Sequence, residues 1–551
     1  MTDTIELQLN PASSVHYQPQ PKTSLDSFRE PSTQVQTSKR PVDESSTPLT
    51  GGRTVSTLRL ALIILQPSII NFLGSFTNGT ITVGLPAIAR SIDLPRSLYL
   101  WPSSVYGLTS GAMLLLAGSV ADIVGARLVD IIGIFQLGAC TLACGLSQTG
   151  VQLVVFRALQ GIAMAMHLPA SVALVATAVP PGRGRNIGFA CLGLSQPLGF
   201  SVGLVVSGVM VERAGWRSGF YLSGGATLVA AIAAIWTLPK VEHEGKAPGS
   251  WTMLKKVGKE VDWVGGAIAG GGLAAISYVL AILSADLSAI RSATTISLLS
   301  VGVILLIAFP AWMHYRERAG KPALVPNSLW RNLPFATTCI MVALSYGAMN
   351  SMELFSSLYF QEIQSASILT ASLYLLPNLL MGVAINLSVG IFVDRLPASW
   401  LVVGSSFLCS LAPSMMALVN PAWSYWYMQF WAQIFAPFSA DVLFTVGLII
   451  VSSNFPEKTQ ALAGAVFNTV ANFGMSLGIG LCQVVALGVM SKNGHGGGDD
   501  GQGDAFSNVA EGALLDGFRA AFWAMFTCMI VCGFLAVVGL RNAGKVGLKR
   551  E

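Results

Sequence analysis

Residues 118–130, GSVADIVGARLVD, place an acid and a base five positions apart between two long apolar runs. Gly118 permits close approach of a neighbouring helix and Gly125 can adopt a positive φ, so the turn between the runs can be very tight. Asp122 can then pair with Arg127 or stabilise the N-terminus of a nearby helix. A charged clasp of this kind can hold one conformation and open in another. The alternative is a capped turn exposed to water.

A second Gly-x-x-x-Asp pattern stands at Gly390 and Asp394, and Arg395 follows the acid. Each copy falls between two apolar segments. If the last six segments of the chain repeat the first six, each copy follows the second segment of its half. The repeat favours a conformational gate, built from both copies, over a plain turn.

Three more charged residues lie inside apolar segments, where charges are costly and are functional candidates. Arg157 stays charged, so it can act electrostatically on a carboxylate or on an anionic substrate. The alternative is a structural hub that donates hydrogen bonds to backbone carbonyls. Glu353 is expected close to the membrane interface, about 27 Å along its helix, and is interpreted as a rim charge.

Asp441 is the best candidate for a proton-binding residue. It lies fifteen residues beyond Trp426, or about 22 Å at the rise of an α-helix, which is near the middle of a membrane. A carboxylate that alternates between an apolar surrounding and a cation can load and release a proton. The alternative is an acid held in place by Ser439 or by a neighbouring helix.

Several amide side chains also lie within apolar segments and are predicted to line a substrate cavity. They are Asn78, Gln160, Gln433, Asn468 and Asn472. Asn468 and Asn472 share a helix face because they are four residues apart. For these two residues, helix packing is the alternative.

The composition identifies the elements that must position these residues. The 551-residue chain is 53% hydrophobic and 11% charged, whereas soluble domains average about 25% charged. A membrane span needs about 20 apolar residues, and fourteen such segments can be counted between residues 60 and 540. The sequence therefore predicts an all-α polytopic membrane protein with 14 transmembrane helices, in two pseudo-symmetric six-helix bundles plus an inserted helix pair.

Charge and composition predict the organisation of the chain. Most of its 32 Lys and Arg residues fall on the side of the two termini, which places both termini in the cytoplasm. The plasma membrane is preferred to the vacuole. The predicted parts are a disordered cytoplasmic tail (1–55), an N-terminal six-helix bundle (56–240), an inserted pair with cytoplasmic loops (241–332), a C-terminal six-helix bundle (333–541) and a cytoplasmic tail (542–551).

Several function classes are disfavoured. The chain has no GxxxxGK[ST] motif for an ATP motor, and no HExxH or GxSxG motif of a hydrolase. All eight cysteines lie in apolar runs without histidine partners, so no metal or other cofactor is predicted. No basic tract indicates nucleic-acid binding. The expected partners are a small-molecule substrate, protons and the lipid bilayer, and the chain is expected to be monomeric and not an enzyme.

The motifs resemble those of the major facilitator superfamily. Gly-x-x-x-Asp-x-x-Gly-x-Arg between segments two and three resembles its signature loop, and RALQG (157–161) is similar to its fourth-helix motif. GLSQPLGFSVG (193–203) resembles the antiporter motif of the fifth helix at Gly193, Pro197, Gly199 and Gly203. GWRSGFY (215–221) and GFRAAFW (517–523) resemble the junctions before helices six and fourteen of the fourteen-span drug:proton antiporters. The resemblance covers residues 56–541 and is nearest to the fungal branch.

The sequence also departs from the family pattern. Ile123 and Ala126 stand where the signature loop usually has basic residues, and Thr77 stands where the first helix usually has an acid. The resemblance implies a proton-coupled exporter of small amphipathic or toxic molecules that works by alternating access, with Arg157 taking part in proton coupling. Asp441 is added as the second coupling residue because of its depth in the membrane. The alternatives are a proton-coupled transporter of one solute, such as a siderophore, an amino acid or an inorganic anion, and a transporter-like membrane sensor.

Overall fold

The computed structural model describes residues 57–541 except 96–97, 180–182, 240–256, 286, 393–396, 456 and 494–510. Both predicted tails, 1–55 and 542–551, lie outside the described residues. Within the described ranges the regular structure is entirely helical. This confirms the predicted all-α class.

Fourteen of the described helices are long and apolar enough to cross a membrane, as predicted. Their bounds are α1 Thr57–Ser91, α2 Trp101–Val124, α3 Ala126–Leu146, α4 Gly150–Ala178, α5 Arg183–Ala214, α6 Arg217–Thr237, α7 Trp263–Ala285, α8 Ala293–Arg318, α9 Leu333–Leu358, α10 Ile368–Phe392, α11 Ala398–Leu418, α12 in two pieces (Gln429–Phe435 and Phe438–Asn454), α13 Glu457–Asn493 and α14 Glu511–Gly539. We call the end of the bundle where α1 begins and α14 ends the terminal side, and the other end the opposite side.

Local chemistry sets several helix ends. The side chains of Thr149, Ser292 and Asn332 each accept a hydrogen bond from a backbone N–H in the first turn of α4, α8 and α9, which satisfies a donor that the helix itself cannot. Gly125 alone separates α2 from α3, with φ 106°. Glycine accepts this backbone conformation at little cost, so the predicted tight turn is present.

The helices pack in a pattern that occurs twice. In the first set α1 packs on α5, α2 on α4, and α3 on α6; in the last six helices α9 packs on α13, α10 on α12, and α11 on α14. The two sets meet through α2 with α13 and through α5 with α10, which are equivalent pairs if the last set repeats the first. This repetition supports the predicted division into two bundles, whose bounds stay a prediction.

The repeat extends to single hydrogen bonds. Arg217, at the start of α6, donates to the carbonyl of Ser147 at 3.0 Å, and Arg519, in α14, donates to the carbonyl of Val419 at 3.1 Å. Ser147 and Val419 are the C-terminal caps of α3 and α11. Each arginine therefore supplies a donor to an otherwise unpaired helix end.

α7 and α8 pack on each other outside this pattern, and α7 also packs on α2 and α13. Asp262 ties the pair together because it accepts from the N–H of Gly265 at 3.0 Å and from the indole of Trp312 at 3.1 Å. On α8, Ile304 is 63% exposed and Ile307 is 69% exposed. Large apolar side chains with this exposure fit contact with lipid.

Candidate functional site

Arg157 is the centre of a buried polar cluster in the first six helices. It is 1% exposed. Its guanidinium donates to the carbonyl of Pro102 at 2.8 Å, to Gln160 Oε1 at 2.9 Å and to Asn78 Oδ1 at 2.7 Å. It also lies over the ring of Tyr106, 4.8 Å from the centroid. These contacts join α1, α2 and α4.

All these partners of Arg157 are neutral. Gln160 passes the network to α3 by donating to the hydroxyl of Thr141 at 2.6 Å. No described carboxylate forms an ion pair with Arg157. The geometry is that of the hydrogen-bond hub that the sequence left open as an alternative, and a proton-coupling role for Arg157 stays a prediction.

Thr77 is part of the helix packing. Its hydroxyl donates to the carbonyl of Leu73 in its own helix at 3.0 Å and lies 3.2 Å from the hydroxyl of Ser223 in α6. The position of the missing acid is therefore occupied by a neutral contact between α1 and α6.

Asp441 lies in the first turn of the second piece of α12, just after Pro437. Because proline lacks an N–H, the helix is interrupted there. The Asp441 carboxylate faces α10: a β-carbon built on Gly382 would lie 2.7 Å from Asp441 Oδ2. The side chain is partly exposed, and it interacts with Asn386 of α10. A neighbouring helix thus contacts this acid, although none of its described neighbours is a cation.

Glu353 is not a rim charge, and the sequence-based interpretation is wrong on this residue. It is only 5% exposed. The reason is that α9 runs on to Leu358 and continues as a π-helical turn, Tyr359–Ile363, so Glu353 lies well inside the helix. Its carboxylate is close enough to Asp441 for the two charges to repel each other.

At the predicted gate between α2 and α3, Arg127 bonds to α6 and not to Asp122. Arg127 donates to the carbonyl oxygens of Ile235 at 2.6 Å and Leu238 at 3.2 Å, at the C-terminal end of α6. These carbonyls lack partners within their helix and attract a cation. Asp122, in the last turn of α2, has no hydrogen-bond or ion-pair partner among the described residues. The Asp122–Arg127 pair is therefore absent in this conformation.

The other gate residues can be placed only in part. Gly118 faces Pro169 of α4, with room for a β-carbon at 3.7 Å. Gly390 lies near the end of α10. Asp394 and Arg395 lie outside the described residues, so the gate as a whole stays a prediction.

The predicted cavity residues divide into two groups. Asn78 and Gln160 both accept from Arg157, whereas Asn468 and Asn472 donate to carbonyls of their own helix at 2.9 and 3.0 Å. Gln433 is buried; its amide nitrogen lies 3.4 Å from the hydroxyl of Ser356 and its oxygen has no partner in the described part of the chain. Gln433 is therefore the member of the set with a buried polar atom that has no described partner.

Two of the three predicted glycines of the antiporter-like motif are in close contact with α1, and the third is not. β-Carbons on Gly199 and Gly203 would collide with the backbone of α1 at Phe72 and Phe76, whereas Gly193 faces open space. Pro197 lies inside α5. The motif thus brings α5 into direct backbone contact with α1. In the repeated set, Gly474 of α13 meets the backbone of α9 at Ala343 in the same way.

Three of the side-chain hydrogen bonds that join the first six helices to the last six in the described part of the chain lie on the opposite side. They are Arg90 to Glu362 at 3.0 Å, Gln361 to the carbonyl of Val83 at 3.1 Å, and the N–H of Leu369 to Glu212 at 2.9 Å. These contacts hold the two sets together at that end.

Sequence reasoning missed one buried pair altogether. Nδ1 of His167 in α4 lies 2.6 Å from Oδ1 of Asp130 in α3, and both side chains are fully buried. Asp130 lies in the quoted opening stretch, close to the predicted start of its helix, where an acid is unremarkable. A histidine in the middle of segment four was the signal that could have found the pair.

Comparison with known proteins agrees with a polytopic transporter fold. The family model described as "Major Facilitator Superfamily" matches residues 68–479. The structure of a bacterial homologue of the human lysosomal transporter Spinster, inward-facing and occupied, superposes with a TM-score of 0.60 at 12% identity, over 89% of this chain and 98% of that one.

Curated relatives give a similar result. "MFS-type transporter 1" of Pyricularia oryzae is 38% identical over 90% of this chain and 85% of its own. The "Low affinity ammonium transporter" of Saccharomyces cerevisiae is 26% identical (70% and 73%), and "Efflux pump terJ" of Aspergillus terreus is 25% identical (74% and 77%). The chain belongs to the major facilitator superfamily. It is a fourteen-span membrane transporter and not an enzyme.

Proposed function

We propose that this transporter exports small amphipathic or toxic molecules in exchange for protons, by alternating access of two six-helix bundles, 56–240 and 333–541. The observation that carries the coupling is the pair of carboxylates at Asp441 and Glu353. The two acids are in the same bundle and within range of each other's charge, so they would repel each other when both are ionised. No described Arg or Lys forms an ion pair with either. A proton bound by either acid relieves that repulsion.

Asp441 is the proton-exchanging member of this pair. It is partly exposed, whereas Glu353 is buried, so Asp441 is the more accessible of the two acids. A proton that arrives at Asp441 changes the charge against α10 at Gly382 and Asn386. This contact lies between two helices of the same bundle, where a charge change can alter packing as the bundle opens and closes.

The substrate class is supported by relatives. One of them is named as an efflux pump. Separately, the motif that resembles the antiporter motif packs α5 on α1 through Gly199 and Gly203. The second candidate function is transport of one small solute, supported by the relative named as an ammonium transporter. The unused amide oxygen of Gln433 could accept a hydrogen bond from a cationic or amide-bearing solute.

The conformation fits a cycle in which access alternates. Inter-bundle hydrogen bonds join the two sets on the opposite side, and on the terminal side Asp122 has no partner among the described residues. We assign the terminal side to the cytoplasm, as in a plasma-membrane protein with both termini inside. The gate at Gly118, Asp122, Gly125, Arg127, Gly390, Asp394 and Arg395 would then engage when the cytoplasmic side closes.

The test uses a yeast strain deprived of its own efflux pumps and a panel of amphipathic cationic and neutral toxins. Expression of the chain should confer resistance, and Asp441→Asn should reduce proton-dependent efflux about a hundredfold, the usual size of a lost proton-transfer group. Asp93→Asn is the matched control because Asp93 is an exposed loop acid. Unchanged efflux in Asp441→Asn would refute the assignment. Resistance to none of the toxins, together with uptake of ammonium, would favour the second candidate.

A further inference from the structure

The imidazole of His167 is fully buried and has an oxygen atom near each of its two ring nitrogens. His167 Nδ1 lies 2.6 Å from Asp130 Oδ1, and on the other side of the ring Nε2 lies 3.3 Å from the carbonyl oxygen of Pro67 in α1. Both side chains are 0% exposed. Asp130 Oδ2 is buried and has no partner among the described residues. Three helices, α1, α3 and α4, therefore converge on one imidazole.

Both ring nitrogens can be hydrogen-bonded to their oxygens at the same time only if the pair holds two hydrogens. Both ring nitrogens of His167 face an oxygen, yet a neutral imidazole has only one N–H. Two hydrogens are needed: either an imidazolium donates to both oxygens, or the acid of Asp130 donates to Nδ1 while Nε2–H donates to Pro67. The two forms hold the same number of protons and have zero net charge. Removal of one proton would leave a buried negative charge, which is costly.

No described cation compensates for that charge. Arg127, one turn before Asp130, is bonded to the carbonyls of Ile235 and Leu238, and Arg157 is bonded to its own neutral partners. α6 presents apolar residues such as Ala231 and Ala234 to this region.

The other described charges on α1, α2, α5 and α6 lie at helix ends. They are Arg90, Asp122, Glu212, Arg213 and Arg217. Gln66, beside Pro67, contributes a buried amide without a described partner. The pair is thus isolated from the other described charges in this conformation.

We propose that Asp130 and His167 form a second proton-binding site, in the first six helices, that holds its proton while α1, α3 and α4 are packed together and releases it to water when they separate. The proposal deepens the proposed function, on which it rests for the role of that proton in transport. The step involves only a proton, which leaves the pair as H⁺ to water and returns from water.

Linkage gives the sign of the pH dependence. The proposal requires the packed pair to hold two exchangeable protons, one for each acceptor oxygen. Free His and Asp side chains in water, with pKa values of about 6.5 and about 3.9, together hold two such protons between about pH 3.9 and 6.5 and one above about pH 6.5. Opening therefore releases one proton only above about pH 6.5. The opening equilibrium constant should be flat between about pH 4 and 6.5 and rise about tenfold per pH unit above that range, so the packed state loses stability as pH rises above about 6.5.

Hydrogen–deuterium exchange of the full chain in lipid nanodiscs tests this without a substrate. Peptides from α3 and α4 are followed across pH, with intrinsic exchange rates corrected. We expect the rise above about pH 6.5 in the wild type and in His314→Gln, an exposed control on α8, and flat profiles in Asp130→Asn/His167→Gln. If the double variant does not fold, Asp130→Asn alone should be flat above that pH, since its histidine is neutral in both states.

Two results would overturn the proposal: a flat profile in the wild type, or the same rise in the neutral variants. Asp441→Asn separates this site from the proposed function. It should keep the rise in α3 and α4 while abolishing coupled transport. If coupled transport survives in Asp441→Asn, the proposed function fails, and the exchange profile still decides the fate of the second site.

Discussion

The polar centres of the first six and the last six helices contrast in charge and in hydrogen bonding. In the first set a cation, Arg157, is surrounded by neutral acceptors and is fully engaged. In the last set two acids, Glu353 and Asp441, lie within range of each other's charge, and neither has a described cationic partner. The hydrogen bonds from all three guanidinium nitrogens of Arg157 hold its network in one arrangement. The interaction between two acids, by contrast, changes whenever one of them binds or loses a proton. The comparison indicates that the Arg157 network provides a fixed frame and that the two acids of the last set provide a change of charge.

The largest loss of stability is expected at the glycines where two helices of one set are in direct backbone contact, α5 with α1 and α13 with α9. Gly203→Ala and Gly474→Ala should each destabilise the fold by about 3 kcal/mol or more, because the new β-carbon meets backbone that cannot move aside. Thermal unfolding of the purified chain measures this. Gly193→Ala is the matched control in the same motif and should be neutral or slightly stabilising. Equal stabilities for the Gly193 and Gly203 variants would contradict the packing described.

Arg157→Met should be the next most damaging change. Removing the guanidinium leaves Asn78, Gln160 and the carbonyl of Pro102 buried with unused acceptors, at a cost of about 3–5 kcal/mol. Unfolding temperature and transport should fall together. Arg291→Met, at an exposed arginine, serves as the control. Loss of coupling with full stability would show instead that Arg157 acts on protons directly.

The smallest effects are expected at the equivalent arginines of the two junctions. Arg217→Gln and Arg519→Gln each lose a charged donor to a helix-end carbonyl, so each should cost about 1–2 kcal/mol. Similar unfolding shifts in the two variants would support the internal repeat at the level of single bonds. A large loss in one variant and none in the other would argue against equivalence.

Much of the fold follows from the sequence because hydrocarbon leaves few choices. Backbone groups must be satisfied within each helix, so apolar length alone located all fourteen spans. The site followed less well. Glu353 was misplaced because a π-helical turn, which hydropathy does not reveal, extends α9 beyond it.

The Asp130–His167 pair was missed for a geometric reason. Asp130 lies about 6 Å from the start of α3, and His167 about 16 Å from the end of α4, at 1.5 Å per residue. Counting from helix ends therefore assigns them different depths, although α4 simply extends further than α3. Arg127 shows a related limit: proximity in sequence to Asp122 suggested a pair, but the exposed carbonyls of α6 attract it more strongly.

Proton movement measured directly is the central test. The full chain is reconstituted in proteoliposomes that contain a pH-sensitive dye, and the toxin to which it confers most resistance is added. We predict that wild-type protein moves protons with the toxin, that Asp441→Asn moves toxin without protons or not at all, and that Glu353→Gln keeps partial coupling. Proton movement that survives in Asp441→Asn would contradict the account.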